Sequence, residues 1–302
     1  MFEKLMQPYA LKKNLYDHIE IVNDLLIDES WIMEKKYDGR RFQFIIDNDK
    51  ICFADKYAQL DKTNISIKIS ETLNEVKKLK LPNKTHLDIE LLIPGKFEES
   101  LSLYRGDIKN ALHLQNKLGN AIIRVIDILY FEQDLTEFPL YERKKIISQL
   151  FSNCEFIIPV EGFIDRKVKE EKFLSIFNAE EDGVVFKLLE APYIYGTSKL
   201  WYKYKRVDSY DVVIMNISER EGQYSGMAKC ITVGQYKNGK LCEVAHVGNM
   251  DIETRYFLWN NKEKLKGNVI EIFATKRTKI KYKDTRFSRF RDDKNSSDCI
   301  WE

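Results

Sequence analysis

Short apolar runs broken by polar turns set the pattern of this chain. WIMEKK, RRFQFIID and KICFA are rich in aromatic and β-branched residues and are interrupted by Asp-Gly and Asp-Asn-Asp. They predict strands of a β-meander. Between Ser66 and Lys80 the apolar positions mix two spacings, but Leu73, Val76 and Leu79 with charges between them favour a helix. The polar segment from Ala54 to Asn64 reads as a loop. THLDIELLI after Pro82 and AIIRVIDILYF predict two further strands, and Pro139 opens a helix in PLYERKKIISQLF. FIIPV, a helix near Lys169 to Phe177, and DGVVFKLLE continue an α+β alternation that LWYKYKR closes. Because strand side chains alternate, Trp201, Lys203 and Lys205 share one face and Tyr202, Tyr204 and Arg206 the other.

After Arg206 the pattern changes to short strands in DVVIMNI, GMAKCITVGQY, LCEVAHV, GNVIEIFA and TRFSRFR, separated by Gly and Asn turns. A helix near Ile252 to Trp259 interrupts them. Strands of this number and length with one inserted helix fit a small Greek-key barrel of the OB type. The expected organisation is therefore an α+β domain over residues 1–206 and an OB-fold β-barrel domain over 207–302, with the boundary at Val207 to Tyr210.

Composition agrees with two domains: 302 residues, 44% hydrophobic and 32% charged, support a real core. No apolar run approaches the roughly 18 residues of a membrane span, and the N-terminus has no apolar signal region. Five cysteines without a C-x-x-C pair argue against a zinc site or a disulfide scaffold. The expectation is a cytoplasmic protein with reduced thiols. The four histidines show no spacing that suggests a metal site. Net charge is only +2, yet Lys276 to Lys294 holds nine basic and three acidic residues, so the positive field is local.

The candidate chemistry begins at MEKKYDGRR, where Lys36 stands two positions before Asp38-Gly39. A free lysine is neutral in only about one molecule in 2,500 at pH 7, so a nucleophilic lysine needs desolvation or nearby cations. Lys187, Lys203 and Lys205 are available as cations, with Glu90 and Asp182 as carboxylates for magnesium. The pattern K-x-D-G-x-R arises at about one start position in 10⁵ by chance. Alone it could be an Asp-Gly hairpin turn with solvated lysines.

Its ordered company favours more than a turn. KYDGRR resembles motif I of the covalent nucleotidyltransferases, and from Met6 onward the chain is similar to small, virus-type ATP-dependent DNA ligases. LDIEL resembles the family's L-D-G-E-L element, and DILYFEQDLTEFPLYERKKII its strand, loop and helix. EDGVVFK resembles E-G-V-M-V-K, LWYKYK resembles W-x-K-x-K, and RFRDDK resembles the terminal R-x-D-K element. Three departures stand out. Ile126 occupies a position that is often aromatic, Asp182 replaces a glutamate, and Asp55 and Lys56 fall near the place of an unmatched Ser-Arg pair.

The resemblance implies a fold of nucleotidyltransferase domain plus OB domain, with ATP and Mg2+ (or Mn2+) as cofactors. It implies nick sealing in three steps: AMP transfer to Lys36, AMP transfer to a 5′-phosphate, and attack by the 3′-hydroxyl. Glu34 would read the adenine amino group and Ile126 pack on the base. Arg41 would contact the sugar or the nick phosphate. Lys203 and Lys205 would contact the α-phosphate, Lys187 would belong to the nucleotide-binding set, and Glu90 and Asp182 would hold the metal. Arg291, Asp293 and Lys294 would orient pyrophosphate.

KIKYK is expected to put three lysines, Lys279, Lys281 and Lys283, on one strand face, and Arg286, Arg289 and Arg291 continue the charge along the next. Such a stripe suits the phosphate backbone of nicked duplex DNA, bound by a monomer without a membrane. Three alternatives stay open: an mRNA-capping guanylyltransferase, an RNA ligase, and a non-catalytic OB-type nucleic-acid binder. Roles in replication, repair or recombination, in the host cytoplasm if the source is viral, follow from the resemblance alone.

Overall fold

In a computed structural model, residues 3–11, 16–48, 50–95, 97–179, 181–222 and 225–301 are described. They fall into two compact units, Met1–Lys205 and Arg206–Glu302. Among them no helix is long and apolar enough to cross a membrane.

The first unit is built on two sheets. One runs in the order Gln7–Leu11, Thr197–Lys205, Gly183–Leu188, Trp31–Lys35, Gly162–Phe163. The other runs Lys50–Asp55, Arg40–Asp47, His86–Leu92, Ile122–Phe131, Gln133–Asp134, with Ile157–Pro159 parallel to Ile122–Phe131. Alternation in RRFQFIID decides which face is buried. Phe42, Phe44 and Ile46 enter the core with Leu87, Ile89 and Leu91, while Arg41 stands opposite Glu90 on the other face. Helices Ser70–Lys78, Ile108–Leu118 and Leu140–Leu150 contribute Leu73, Ala111 and Ile147 to this core.

Sequence patterning located most of the strands and the helices at 70–78, 140–150 and 166–178, but not the strand Gln7–Leu11 or the helices Tyr16–Ile27, Phe97–Arg105 and Ile108–Leu118. Ile108–Leu118 is announced by its cap, since the Asp107 carboxylate accepts from Asn110 N at 2.8 Å. Pro139 stands just before its helix, as the cap, with extended backbone.

The second unit is built on a five-stranded antiparallel sheet ordered Lys240–Val247, Ala228–Lys237, Asp208–Glu219, Val269–Ala274, Arg286–Phe290, with helix Ile252–Asn260 packed on its core. The expected strands and inserted helix are present, but among the described residues no ladder closes the barrel. Near the sheet's open edges Asn249 forms a bridge with Arg286, and Phe287 N donates to Asn249 O at 3.1 Å.

KIKYK is not a strand. The chain turns between Lys276–Arg277 and Tyr282–Lys283, with Thr278 N donating to Lys281 O at 2.8 Å and Thr278 Oγ1 accepting from Lys281 N at 3.0 Å. The three lysines therefore do not form one strand face. Lys281 pairs with Glu243, and the Tyr282 ring between the lysines is buried 4.2 Å from the Tyr210 ring. The Tyr282 hydroxyl donates to Gln235 Oε1 at 2.8 Å, so both ends of the side chain are satisfied inside, and the backbone turns to let it in.

Candidate active site

A cavity of about 380 Å³ opens in the first unit, and Glu34, Lys36, Glu90, Ile126, Lys187 and Lys203 all border it. Two strand ends deliver Lys36. Trp31–Lys35 ends one residue before it, and Lys36 N donates to Gly183 O at 2.9 Å, at the start of Gly183–Leu188. Gly183 has φ +129, and a Cβ there would run into the Tyr204 carbonyl and the Lys205 backbone. Gly39 is needed for close approach, because a Cβ would meet the Leu91 carbonyl. Gly39 N donates to Glu90 Oε1 at 3.1 Å, tying the loop after Lys36 to the second sheet.

The Lys36 ammonium pairs with the buried carboxylate of Asp182. Burial works against its charge, yet Asp182 and Glu90 together hold its pKa above the ordinary lysine value. This reverses the expectation that nearby cations would depress it. Glu90 shows the opposite tension. Burial pushes its pKa up to about 7, against the pull of Lys36 and Arg41.

Lys187 is buried, ion-paired to Glu34 Oε2 at 2.5 Å and lies 4.2 Å from the Trp201 ring centroid. Burial, reinforced by Lys144 and opposed by Glu34, brings its pKa down to about 8. Lys203 is also brought down to about 8, first by burial and then by Lys205 and Lys36. The shared face of Trp201 and Lys203 is as expected from alternation, and both border the cavity. Lys205, at the strand end opposite Gly183, does not line it.

Arg41 is more tightly engaged than expected for a residue awaiting a sugar or phosphate. Its Nε donates to Asp88 Oδ1 at 2.8 Å and its Nη2 to Met6 O at 2.8 Å, and the Asp88 carboxylate raises its pKa against the effect of burial. Asp182 and Glu90 approach Lys36 from two elements, but no three His, Cys, Asp or Glu side chains gather as a metal cage among the described residues.

In the second unit Arg291 donates bidentately to Asp293 at 2.9 Å and to Asp211 at 2.7 Å, while Lys294 Nζ stands 3.9 Å from Asp211. Arg291 holds the Asp293 carboxyl down to about 2. Asp211, the anchor of this cluster, carries no sequence signal of its own. Arg289 pairs with Glu271 at 3.2 Å, and the Arg286 guanidinium lies 5.3 Å from the Phe273 ring centroid.

Residues missed from sequence are Lys144, whose ammonium pairs with Glu34, and Asp55, Lys56 and Tyr57, which line the cavity. For Asp55 and Lys56 the only signal is their distance along the chain from Lys36.

Residues 12–205 match the model of a family described as the ATP dependent DNA ligase domain. The chain belongs to this family. A DNA ligase of Methanococcus aeolicus is 29% identical over 286 residues, covering 89% of this chain and 48% of that protein. A DNA ligase of Methanoculleus marisnigri is 25% identical over 254 residues, covering 80% of this chain and 42% of that protein. The chain thus spans about half the length of the curated relatives it matches. Among solved structures, one described as a Lig E DNA ligase has a TM-score of 0.68 at 16% identity, covering 96% of this chain and all (100%) of that one. The ligase domain of M. tuberculosis LigD has a TM-score of 0.53 at 17% identity, with 100% of both chains covered. At such identity the likeness speaks for the ligase fold, nucleotidyltransferase unit followed by an OB-type unit.

Proposed function

We propose that this chain is an ATP-dependent DNA ligase that seals nicks in duplex DNA. The observation that carries the reading is Lys36, lining a cavity that is also bordered by an acidic residue, Glu34, and by Lys187 and Lys203, in a chain of the ligase family. In the first step Lys36 Nζ, after losing a proton, bonds to the α-phosphorus of ATP while the bond to pyrophosphate breaks. In the second the 5′-phosphate oxygen at the nick takes the AMP and frees Lys36. In the third the 3′-hydroxyl attacks that phosphate, and AMP leaves.

Each residue has a task set by its surroundings. Lys203 neutralises charge on the α-phosphate, and its depressed pKa reflects burial in a site already crowded with cations. Lys187 holds Glu34, and Ile126 packs on the base. Two carboxylates without a third fit magnesium, which binds through one or two carboxylates plus phosphate oxygens. Glu90 and Asp182 would hold it, and it would supply charge neutralisation on the phosphates. Lys205, Arg291, Asp293 and Lys294 are assigned to phosphate and pyrophosphate contacts, and Arg41 to shaping the cavity wall through Asp88. DNA would be held through the basic segment around Lys279, Lys283, Arg286 and Arg289. The chain would act as a monomer in the cytoplasm.

A pulse and chase tests the reading. The chain is labelled with α-labelled ATP and magnesium, freed of nucleotide, then given nicked duplex DNA. The expected result is label on the wild type, none on Lys36→Ala, and release of label as the nick closes. Labelling by GTP instead, or release only to an RNA end, would move the assignment to capping or RNA joining. Absence of label with any nucleotide would leave a nucleic-acid binder.

A further inference from the structure

We propose that Lys144 is a positioning residue: it fixes the Glu34 carboxylate as the reader of the purine 6-position and thereby sets the preference for a 6-amino over a 6-oxo nucleotide. The inference rests on the adenylylation reading above and names the device behind its base selectivity.

Glu34 is only 2% exposed and is flanked by two ammoniums. Lys187 reaches Oε2 at 2.5 Å from the adjacent strand, where Val185 is the register partner of Glu34. Lys144 pairs with Oε1 from the helix Leu140–Leu150, which packs against Ile122–Phe131 of the other sheet. A side chain of one sheet is thus clamped by a helix that belongs to the other. Ile126, on the strand under that helix, borders the same cavity as Glu34.

The base of Lys144 is fixed by its neighbour. Arg143 is fully buried, with Nε donating to Asp127 Oδ1 at 2.8 Å, Nη2 to Asp127 Oδ2 at 3.0 Å and Nη1 to Ala191 O at 3.2 Å. The first turns of the helix therefore cannot rotate freely, and the Lys144 stem is delivered to one place.

Glu34 Oε1 and Lys144 Nζ are both buried atoms that attract each other without a hydrogen bond of good geometry. Glu34 borders the cavity, so a buried acceptor with unfilled hydrogen-bonding capacity stands beside it, which is what a site awaiting a ligand group requires. A carboxylate shared by two ammoniums only accepts. It can take an N–H from a 6-amino group, whereas a 6-oxo group meets it lone pair against lone pair. Selectivity of this kind depends on the acceptor staying where the amino group arrives. With Lys187 alone the carboxylate can turn both oxygens toward that one ammonium. Lys144 keeps Oε1 apart from Oε2. Removing Lys144 leaves Glu34 still paired to Lys187, so no buried charge is stranded and the fold is expected to survive.

The experiment compares α-labelled ATP with α-labelled inosine triphosphate, which differs at the 6-position, as donors to Lys36 in the full chain. Wild type, Lys144→Met, Lys144→Arg, Glu34→Gln and the double variant Lys144→Met with Glu34→Gln are measured, with melting curves for each. We expect Lys144→Met to lower the ATP-to-ITP ratio of kcat/KM tenfold or more, and Lys144→Arg to restore it to within threefold of wild type. The double variant should match Glu34→Gln alone, because Lys144 acts through Glu34. If Lys144→Met does not fold, Lys144→Gln is measured in its place. An unchanged ratio in Lys144→Met, an equal loss with both nucleotides, or an equal further fall in the Glu34→Gln background each overturns the proposal while the adenylylation reading stands. A wild-type ratio in Glu34→Gln removes the reader itself and the proposal with it. Failure of the wild type to label overturns the adenylylation reading and everything built on it.

Discussion

The carboxylate of Asp182 grips the ammonium of Lys36, so the side chain proposed above as the nucleophile is held in its charged form. The Lys36 side chain is about a quarter exposed, at 24%, and so remains open to small reagents. Its reactivity in the nucleotide-free chain is therefore limited by charge more than by access.

Reductive methylation followed by peptide mass spectrometry checks this. At pH 8 Lys36 should react more slowly than exposed lysines, because its raised pKa leaves less neutral amine. Asp182→Asn removes the largest favourable partner of the ammonium and should speed Lys36 several-fold. Equal rates in the two proteins would mean that Asp182 does not govern the Lys36 charge.

The pair Arg143–Asp127 is buried on both sides, at 0% exposure for each side chain, and links the helix carrying Lys144 to the strand carrying Ile126. Removing one partner strands the other charge. Arg143→Met or Asp127→Asn should each cost about 3–5 kcal/mol in urea unfolding. The double substitution should cost clearly less than the sum, since it leaves no unpaired ion. Simple additivity would show that the two side chains do not act as a pair.

His86 gives an acid-side dependence. Burial holds its pKa down to about 4, and among the described residues its Nε2 has no hydrogen-bond partner. A folded-state pKa below the unfolded value of about 6.5 means that the unfolded chain binds the proton first. The contribution of His86 is whole above pH 6.5 and is lost as pH falls toward and through 4, to the extent of about 3 kcal/mol. Subtracting the pH profile of His86→Leu from that of the wild type should expose this loss. Parallel profiles between pH 6.5 and 4 would show that His86 is not buried neutral.

Lys279 sits at the tip of the hairpin turn and is exposed, and Lys283 lies on its returning strand. If both meet DNA phosphates, replacing them with Gln should reduce the slope of log K against log salt for nicked duplex by about 0.9 for each lysine that neutralises a phosphate. The affinity should fall to a similar extent on unrelated sequences, because phosphate contacts carry no sequence information. An unchanged slope would take this hairpin out of the interface.

Local chemistry made much of this protein legible from its residues in order. The strand alternation of RRFQFIID and LWYKYK, the Asp-Gly turn after Lys36 and the change of pattern after Arg206 all depend on neighbours within a few positions. Those features located most of the strands, put Trp201 and Lys203 on one face and singled out Lys36. The KIKYK turn escaped because alternation cannot tell a strand from a hairpin whose aromatic residue is drawn into a core made of Tyr210 and Trp301, far along the chain. Asp211, Asp55 and Lys144 escaped for the same kind of reason. Only the packing of a helix from one layer beside a strand from another brings Lys144 to Glu34, and only that pairing makes an ordinary helical lysine part of the site. Sequence determined which residues carry charge and which face of each strand they occupy. Tertiary structure decided which charges meet out of water, and so that Lys36 is held by an acid while Lys187 and Lys203 are pushed toward neutrality by burial.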